Sequence, residues 1–239
     1  MCTVTFIANK DAVFITSNRD ENIFRERTLA PAIYTINDKK ICYPTDGKAS
    51  GTWIGINENN VAAVLLNGAF KKHISKGNYR RSRGFIIPQI LQSSNPEKAI
   101  ESIDFSNIEP FTLILFFENK LIEYRWDEDE LFSNLLSINQ FYIWSSATLY
   151  SKQITEQKEA SFMQYFNDSK INSDSIIAFH KSKKYEDELP NDAAKNNIKT
   201  VSITQVSIAA TSCGSNYFDC INNSQHNTIL QTQKSLSLV

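Results

Sequence analysis

Pairs of short β-type runs around polar turns are the feature that most constrains how this chain can fold. Each pair predicts an antiparallel hairpin, because two strands joined by so short a turn pair side by side in opposite directions. The run at 61–67 is apolar throughout, which predicts a strand that is buried on both faces. The predicted hairpins are 2–8 with 12–18, 52–56 with 61–67, and 111–117 with 120–126.

Helical signals lie between these hairpins and after them. Apolar residues at 86, 87, 90 and 91 share one helix face, with Pro88 in the first turns. The stretch 94–97 joins a capping residue to an early proline and an acid, so it starts a second helix that runs to about Ile103. The other predicted elements are helices near 150–166 and 173–182, strands at 140–146, 200–209, 217–220 and 228–231, short strands within 22–50, and an exposed acidic loop at 185–195.

The order of these elements indicates the fold class. Strands are followed by two helices, by more strands, by two further helices and again by strands. Helices grouped between antiparallel hairpins predict an α+β fold, in which two stacked sheets carry helix layers outside, rather than a βαβ fold. We find no linker or internal repeat, so we expect a single domain over 1–239.

Composition and charge exclude several functional classes. The chain is 41% hydrophobic and 21% charged, as in a folded soluble protein. The net charge of −1 gives no electrostatic reason to expect binding to nucleic acid or to a membrane surface. No apolar run is long enough for a transmembrane segment, and the amino terminus has no signal-peptide pattern, so we expect a cytoplasmic protein.

The cysteines and histidines do not form a recognisable metal site. The cysteines at 2, 42, 213 and 220 show no CxxC spacing, and the three histidines are scattered. We therefore expect no bound metal. The sequence leaves a disulfide between Cys213 and Cys220 undecided, although the lack of secretion signals favours reduced thiols.

Cys2 could supply both a nucleophile and a base. Methionine before a small residue is usually removed, which would leave Cys2 with a free α-amine beside its thiol. The amine has a reference pKa of roughly 7.7–8.0 and the thiol one of roughly 8.5, so the amine can accept a proton near pH 7 while the sulfur attacks. The competing interpretation is a small buried residue in the first strand.

The tetrapeptide Asn18-Arg19-Asp20-Glu21 follows the second strand of the first hairpin. Because the end of that strand lies beside the start of the first, we expect Arg19 and Asp20 within a few ångströms of Cys2. A carboxylate there can orient the α-amine, and a guanidinium can favour the thiolate or hold a substrate carbonyl. The alternative is a solvated turn with a local Arg19–Asp20 ion pair.

Four motifs in this order resemble those of the NRDE family, which comprises the transport and Golgi organisation 2 protein and its bacterial relatives. They are Met1-Cys2, the tetrapeptide at 18–21, Gly51-Thr52-Trp53-Ile54-Gly55 and Ser82-Arg83-Gly84. The resemblance spans most of the chain and is strongest before residue 91. It implies an N-terminal-nucleophile (Ntn) hydrolase fold, a four-layer αββα sandwich, which agrees with the order of elements above.

A more distant likeness is to the choloylglycine hydrolase and penicillin V acylase group, amidases that also begin with Met-Cys. It implies catalytic roles for Cys2, Arg19 and Asp20, with Glu21 as an alternative acid. Asn67 stands in a Leu-Asn-Gly setting similar to that of their oxyanion asparagine. Such a donor is worth roughly 3–4 kcal/mol in the transition state. A turn residue before a glycine is an equally good interpretation of Asn67.

The chain departs from those amidases in its second half. A second asparagine of their site is replaced by Ser145-Ser146, so these serines become the candidate hydrogen-bond donors there. The region 199–204 has no counterpart of a late arginine, and the proline that often follows Arg25 in the family is missing. These differences leave the nucleophile unchanged and affect substrate recognition.

The remaining candidate substrate contacts are Asn18, Glu21, Trp53 and Arg83. The segment 71–83 carries six Lys/Arg and is either a solvated loop or, through Arg83 at a helix start, a site for an anionic group. Trp53 belongs near the site because its strand leads toward Asn67.

Two functions are compatible with these residues. The first is an N-terminal cysteine hydrolase that cleaves the C–N (amide) bond of a small-molecule substrate, without a cofactor. The second, implied by the eukaryotic relatives, is a non-catalytic role in haem or lipid handling or in trafficking, with the Cys2 thiolate as a haem ligand.

Overall fold

The structure, a computed structural model, describes residues 3–182 and 197–233, in which the chain forms thirteen strands and four α-helices. Met1, Cys2 and the loop predicted at 185–195 lie outside these described residues. The strands are β1 (Thr3–Ala8), β2 (Ala12–Asn22), β3 (Leu29–Ile36), β4 (Lys39–Thr45), β5 (Ile54–Asn57), β6 (Ala62–Asn67), β7 (Phe111–Phe117), β8 (Lys120–Trp126), β9 (Leu131–Leu136), β10 (Tyr142–Ser145), β11 (Ile198–Ala209), β12 (Ser212–Asp219) and β13 (Ser224–Gln231). The helices are α1 (Ile86–Leu91), α2 (Pro96–Glu101), α3 (Lys152–Asp168) and α4 (Ser173–Lys181).

The strands form two antiparallel sheets. The first sheet has the order β10-β1-β2-β11-β12-β13, and the second has the order β3-β4-β5-β6-β7-β8-β9. Strand β2 is therefore an interior strand, which pairs with β1 on one side and with β11 on the other. This position matters for the site, because β2 carries the charged tetrapeptide.

Three apolar clusters hold the layers together. One fills the space between the sheets, a second joins the outer face of the second sheet to α1 and α2, and a third joins the outer face of the first sheet to α3 and α4. Strand β7 shows the principle: Ile114 and Phe116 face the first sheet, whereas Leu113 and Leu115 face the helices. The predicted αββα sandwich is confirmed.

Most predicted elements are present, but β12 and β13 begin at Ser212 and Ser224 rather than at 217 and 228, and two further corrections are needed. Strand β2 continues through the charged tetrapeptide to Asn22, because β11 pairs with it along that length. Strand β9 was not predicted, since its side chains are mostly exposed and its sequence does not alternate; it forms by pairing with the edge of β8. The short strands expected within 22–50 are β3 and β4.

The helices begin at side-chain caps that the sequence supplies. Asn95 accepts a hydrogen bond from the Lys98 N–H at the start of α2, Ser151 caps α3 in the same way, and Asn172 forms a capping box with Ser175 at α4. Within the described ranges, no helix is long and apolar enough to cross a membrane.

The disulfide that the sequence left open is not formed. Cys213 and Cys220 are both reduced thiols, as is Cys42. Cys213 lies near the start of β12 and Cys220 just after its end, so seven extended residues, or about 23 Å, separate them. A disulfide needs Cα atoms within about 7 Å.

Buried polar contacts of His180 fasten α4 to the first sheet. Its Nδ1 lies 2.5 Å from Asn18 Oδ1 and its Nε2 lies 2.7 Å from Thr5 Oγ1. Asn18 also donates to the His180 carbonyl at 3.1 Å. Because an amide oxygen can only accept, Nδ1 carries the proton and Nε2 accepts from the threonine hydroxyl. Burial, and secondarily the charge of Lys158, lowers the pKa of His180 from 6.5 to about 3.

The buried neutral His180 predicts a loss of stability in acid. Its contribution is complete above the unfolded pKa of about 6.5 and is lost as the pH falls toward the folded value, by about 1.4 kcal/mol per pH unit. We expect His180→Gln to reduce the steepness of this loss between pH 6 and pH 4.5, as measured by urea unfolding. His226→Gln, at an exposed position of β13, is the matched control and should leave the slope unchanged. Equal slopes for the His180 variant and the wild type would contradict this assignment.

Candidate functional site

The start of β1 lies against two of the predicted polar segments. Thr3 pairs with Asn18 of β2 on one side and with Ser145 of β10 on the other. The predicted hairpin register, which brings the tetrapeptide to the start of the chain, is therefore confirmed for Thr3. Cys2 itself lies outside the described residues, so its predicted role is not tested by the structure.

The two central residues of the tetrapeptide are buried, and the tetrapeptide continues β2 instead of forming a solvated turn. Arg19 is 4% exposed and Asp20 is 8% exposed. Because successive side chains of a strand point to opposite faces, Arg19 contacts residues of the second sheet, whereas Asn18 and Asp20 contact the helix side. The local Arg19–Asp20 ion pair, which a turn would allow, is replaced by separate partners for each residue.

The guanidinium of Arg19 is held by an acid and by a ring. It donates a hydrogen bond to Asp46, which follows β4, and lies 3.5 Å from Glu21 Oε2. Its Cζ is 5.0 Å from the centroid of the Trp53 ring. A carboxylate and an aromatic face that both contact a guanidinium hold it in one position and one orientation. Trp53, which the sequence analysis placed near the site, therefore lies beside Arg19.

Asp46 is the centre of a small ion cluster. It also accepts hydrogen bonds from Arg25 Nε at 3.1 Å and Arg25 Nη2 at 3.0 Å, and from the Ala49 N–H at 2.7 Å. Burial alone would raise the pKa of Asp46, but the hydrogen bonds from Arg25 and Ala49 and the charges of both arginines outweigh burial and lower the pKa. Asp46 is therefore ionised at neutral pH and can balance the buried charge of Arg19.

Asp20 has its partners on the helix side of the sheet. The Tyr150 hydroxyl donates to its Oδ2 at 3.2 Å, and the Thr200 hydroxyl donates to its Oδ1 at 2.5 Å. Tyr150 lies just before α3 and Thr200 lies on β11. Both contacts fix the carboxylate at the end of the first sheet where Thr3 begins.

A buried lysine reaches the same end of the sheet from α3. Lys158 is 5% exposed, and its Nζ donates to Thr3 Oγ1 at 2.5 Å. The same Nζ lies 3.7 Å from the centroid of the Tyr150 ring. Since lysine is rarely buried without a specific reason, its position next to the first described residue marks this end of the sheet as a candidate functional site.

Contacts between successive residues place Asn67, Ser145 and Ser146 near the end of the first sheet where β1 begins. The Ser146 hydroxyl donates to the Asn67 carbonyl at 2.8 Å and lies 2.9 Å from Thr148 Oγ1. Ser145 pairs with Thr3. Asn67 ends β6, and Gly68 after it has a φ of +82°, so the turn interpretation of Asn67 is compatible with its place in the site. The structure thus brings the ends of β1, β6 and β10 together.

Arg83 does not belong to this group of contacts. It donates to the Pro110 carbonyl at 2.7 Å and forms an ion pair with Glu109 at 2.8 Å. Other basic residues of the segment 71–83 also pair with acids of the chain, Lys76 with Glu128 and Arg80 with Asp104. Arg83 lines neither of the two cavities described next.

Two cavities flank the start of β1. The larger one, of about 710 Å³, is bounded by Leu66, Trp144, Ser145 and the segment 147–152. The smaller one, of about 530 Å³, is lined by Thr3 and by groups of the helix side. Tyr150 lines both cavities. Both have the volume of a small-molecule site.

Five residues of this site were missed in the sequence. Lys158 carried a usable signal: it stands four residues from both Ile154 and Phe162, in the apolar stripe of its helix. His180 likewise follows the buried Ile176 by four residues. No local pattern marks the others, because their roles depend on contacts distant in sequence. The missed residues are Asp46, Tyr150, Lys158, His180 and Thr200.

The described residues offer no cluster of side chains for a metal ion. Among them, no group of three or more His, Cys, Asp and Glu side chains could hold a metal ion. Both ring nitrogens of His180 are engaged in hydrogen bonds, so this histidine does not fit an axial ligand. The haem alternative, in which the Cys2 thiolate is the ligand, stays a prediction.

Comparison with solved structures supports the fold assignment. A Caenorhabditis elegans orthologue of N-acylethanolamine-hydrolyzing acid amidase is similar, with a TM-score of 0.62 at 13% sequence identity over 85% of this chain and 92% of that one. A variant of conjugated bile acid hydrolase from Clostridium perfringens has a TM-score of 0.53 at 12% identity over 100% of this chain and 99% of that one. Both have the Ntn-hydrolase fold.

Sequence comparison identifies the family. No curated protein sequence matches this chain. The model of the family described as Transport and Golgi organisation 2, however, matches residues 1–234. The resemblance read from the four motifs is thus confirmed: the chain belongs to the Transport and Golgi organisation 2 family.

Proposed function

We propose that this protein is an N-terminal cysteine hydrolase that cleaves a C–N (amide) bond of a small-molecule substrate, with Cys2 as the nucleophile after removal of Met1. The observation that carries the proposal is the burial of Arg19 and Asp20 on β2, beside the first described residue of β1. Burying a charged residue is costly unless partners offset the lost hydration, and buried charges with specific partners are common at functional sites.

The register of β1 supports the choice of nucleophile. Thr3 pairs with Asn18 and with Ser145, and one further step along those two strands leads to Arg19 and Ser146. Cys2 is bonded to Thr3, so its Cα is about 3.8 Å from that of Thr3. The amide-hydrolysing neighbours of similar fold make this chemistry the first to test.

In the proposed reaction, the Cys2 sulfur adds to the amide carbonyl while its α-amine takes the thiol proton. The tetrahedral intermediate collapses, the C–N bond breaks, and the leaving nitrogen receives that proton. Water then adds to the thioester, and its hydrolysis returns the free thiol and releases the carboxylic acid. Asn67 is the candidate hydrogen-bond donor to the oxyanion, and the Ser146 hydroxyl, which donates to the Asn67 carbonyl, is a candidate positioning group.

Arg19 and Asp20 have different roles in this scheme. Arg19, held by Asp46 and Trp53, offers a fixed positive charge that favours the thiolate or holds the substrate carbonyl. Asp20 accepts hydrogen bonds from Tyr150 and Thr200, and a carboxylate with about four acceptor sites can also orient the α-amine. Asn18, Glu21, Trp53 and Ser145 remain candidate substrate contacts, while the ion pair of Arg83 argues for a structural role.

We expect Cys2→Ala and Cys2→Ser to abolish turnover, because both remove the attacking sulfur. The measurement is release of 4-nitroaniline from a panel of N-acyl anilides, with circular dichroism to verify the fold. Cys42→Ala is the matched control and should retain turnover, since burial raises the pKa of that thiol to about 11. A folded Cys2→Ala protein with wild-type turnover would refute the mechanism. A Cys2-dependent haem spectrum without any turnover would favour the non-catalytic alternative.

The mechanism also predicts that Met1 is absent from the active protein. The α-amine of Cys2 can act as a base only when no residue precedes it. We expect the intact mass of purified protein to lack one methionine. A fully active preparation that retains Met1 would show that the Cys2 α-amine is not the base.

A further prediction concerns the acid that holds Arg19. Asp46→Asn removes the negative charge that faces Arg19 and Arg25, so we expect at least a tenfold loss of turnover and a fall of about 3 kcal/mol in the free energy of unfolding. Turnover per folded molecule is measured together with urea unfolding. Asp11→Asn, in the exposed turn of the first hairpin, should change neither. Wild-type turnover in folded Asp46→Asn protein would show that Asp46 does not contribute to the site.

A further inference from the structure

The smaller cavity, beside Thr3, has a strongly basic lining. Lys158, Lys181 and Lys199 all line it, and its described lining residues include no aspartate or glutamate. Its volume of about 530 Å³ is sufficient for a small organic ligand. In a chain whose net charge is only −1, three lysines around one cavity are a local concentration of positive charge.

The three lysines lie at different depths. Lys158 is buried and contacts Thr3 and the face of Tyr150. Lys181 and Lys199 are exposed, and the Lys181 Nζ lies 4.0 Å from the centroid of the Phe218 ring. His180 also lines the cavity but is neutral, because burial lowers its pKa to about 3. Asp20 lies behind the wall, bound to Tyr150 and Thr200.

The remaining wall is largely apolar. Phe179, Ile203 and Ile221 contribute to it, and Ile221 is 49% exposed at the surface. An isoleucine half exposed beside two lysines suits a ligand with both an apolar and a charged part. A purely polar anion would leave these side chains against water, and a purely apolar ligand would place apolar atoms against the charged ammonium groups of Lys181 and Lys199.

We propose that this cavity binds the anionic headgroup, a carboxylate or a phosphate, of a small amphiphilic molecule whose apolar chain lies against Phe179, Ile203 and Ile221. The inference that such a molecule is the substrate rests on the hydrolase function proposed above. The inference that the cavity binds it does not. It also moves the expected anion site from Arg83, which is paired with Glu109, to the end of β1.

Binding is tested in the full chain carrying Cys2→Ala, so that turnover plays no part. Calorimetric titrations use octyl phosphate, octanoate, octanol and octyltrimethylammonium, each below its critical micelle concentration. We expect the two anions to bind at least about tenfold more tightly than the alcohol, the cation not to bind, and added salt to weaken only the anions. Equal affinity for the anions and octanol, or no anion binding, would overturn the proposal.

Lysine variants locate the binding. Lys181→Gln combined with Lys199→Gln should weaken anion binding by about fivefold or more and leave octanol binding unchanged. Lys10→Gln, in the exposed turn between β1 and β2, is the matched control for the loss of a surface charge. Equal effects of the control and of the double variant would show that the anions do not bind in this cavity.

Cys220 provides an independent footprint, because it lines the cavity and is exposed. Burial raises the pKa of Cys42 to about 11 and that of Cys213 to about 12, so in the Cys2→Ala chain iodoacetamide should alkylate Cys220 first. Bound octyl phosphate should slow this alkylation, and octyltrimethylammonium should not. Unprotected Cys220 at saturating octyl phosphate would contradict the site. Turnover retained by Cys2→Ala would instead refute the hydrolase and leave the binding result intact.

Discussion

The pairing of β2 with two neighbours is the constraint on which the rest of the site depends. The first sheet, in which β2 is an interior strand, is covered by the second sheet on one face and by α3 and α4 on the other, so Arg19 and Asp20 lose their hydration when these layers pack. A buried charge must then be met by groups of opposite charge or by hydrogen-bond partners. Asp46 meets this need for Arg19 on one face of the sheet, and Tyr150 and Thr200 meet it for Asp20 on the other.

The alternation of a strand explains how one tetrapeptide serves two sides of a sheet. Arg19 projects toward the second sheet and Trp53, whereas Asn18 and Asp20 project toward α3 and α4. The first sheet thus separates a guanidinium side from a carboxylate side, with the start of β1 between them. For a reaction that needs one group to stabilise the thiolate or hold the substrate carbonyl and another to orient the α-amine, this is a compact arrangement, because both groups keep a fixed distance along one rigid strand.

Sequence analysis could predict the hairpins and the layer order because these depend on local patterns. The strands β7 and β8 have the predicted bounds, and the apolar pattern of β6 correctly indicated burial on both faces. Asp46 could not be found in this way, since its role arises from contacts with Arg19 and Arg25 that cross from one sheet to the other. The basic segment ending at Arg83 was ambiguous because its acidic partners lie far along the chain.

Tyr150 lines both cavities, while its ring lies beside Lys158 and its hydroxyl binds Asp20. A single residue thus belongs to the wall of two compartments. An occupant of one cavity that displaced Tyr150 would change the wall of the other, which is how two ligands would become coupled. Two molecules, or two halves of one molecule, would each sense the presence of the other through this one side chain.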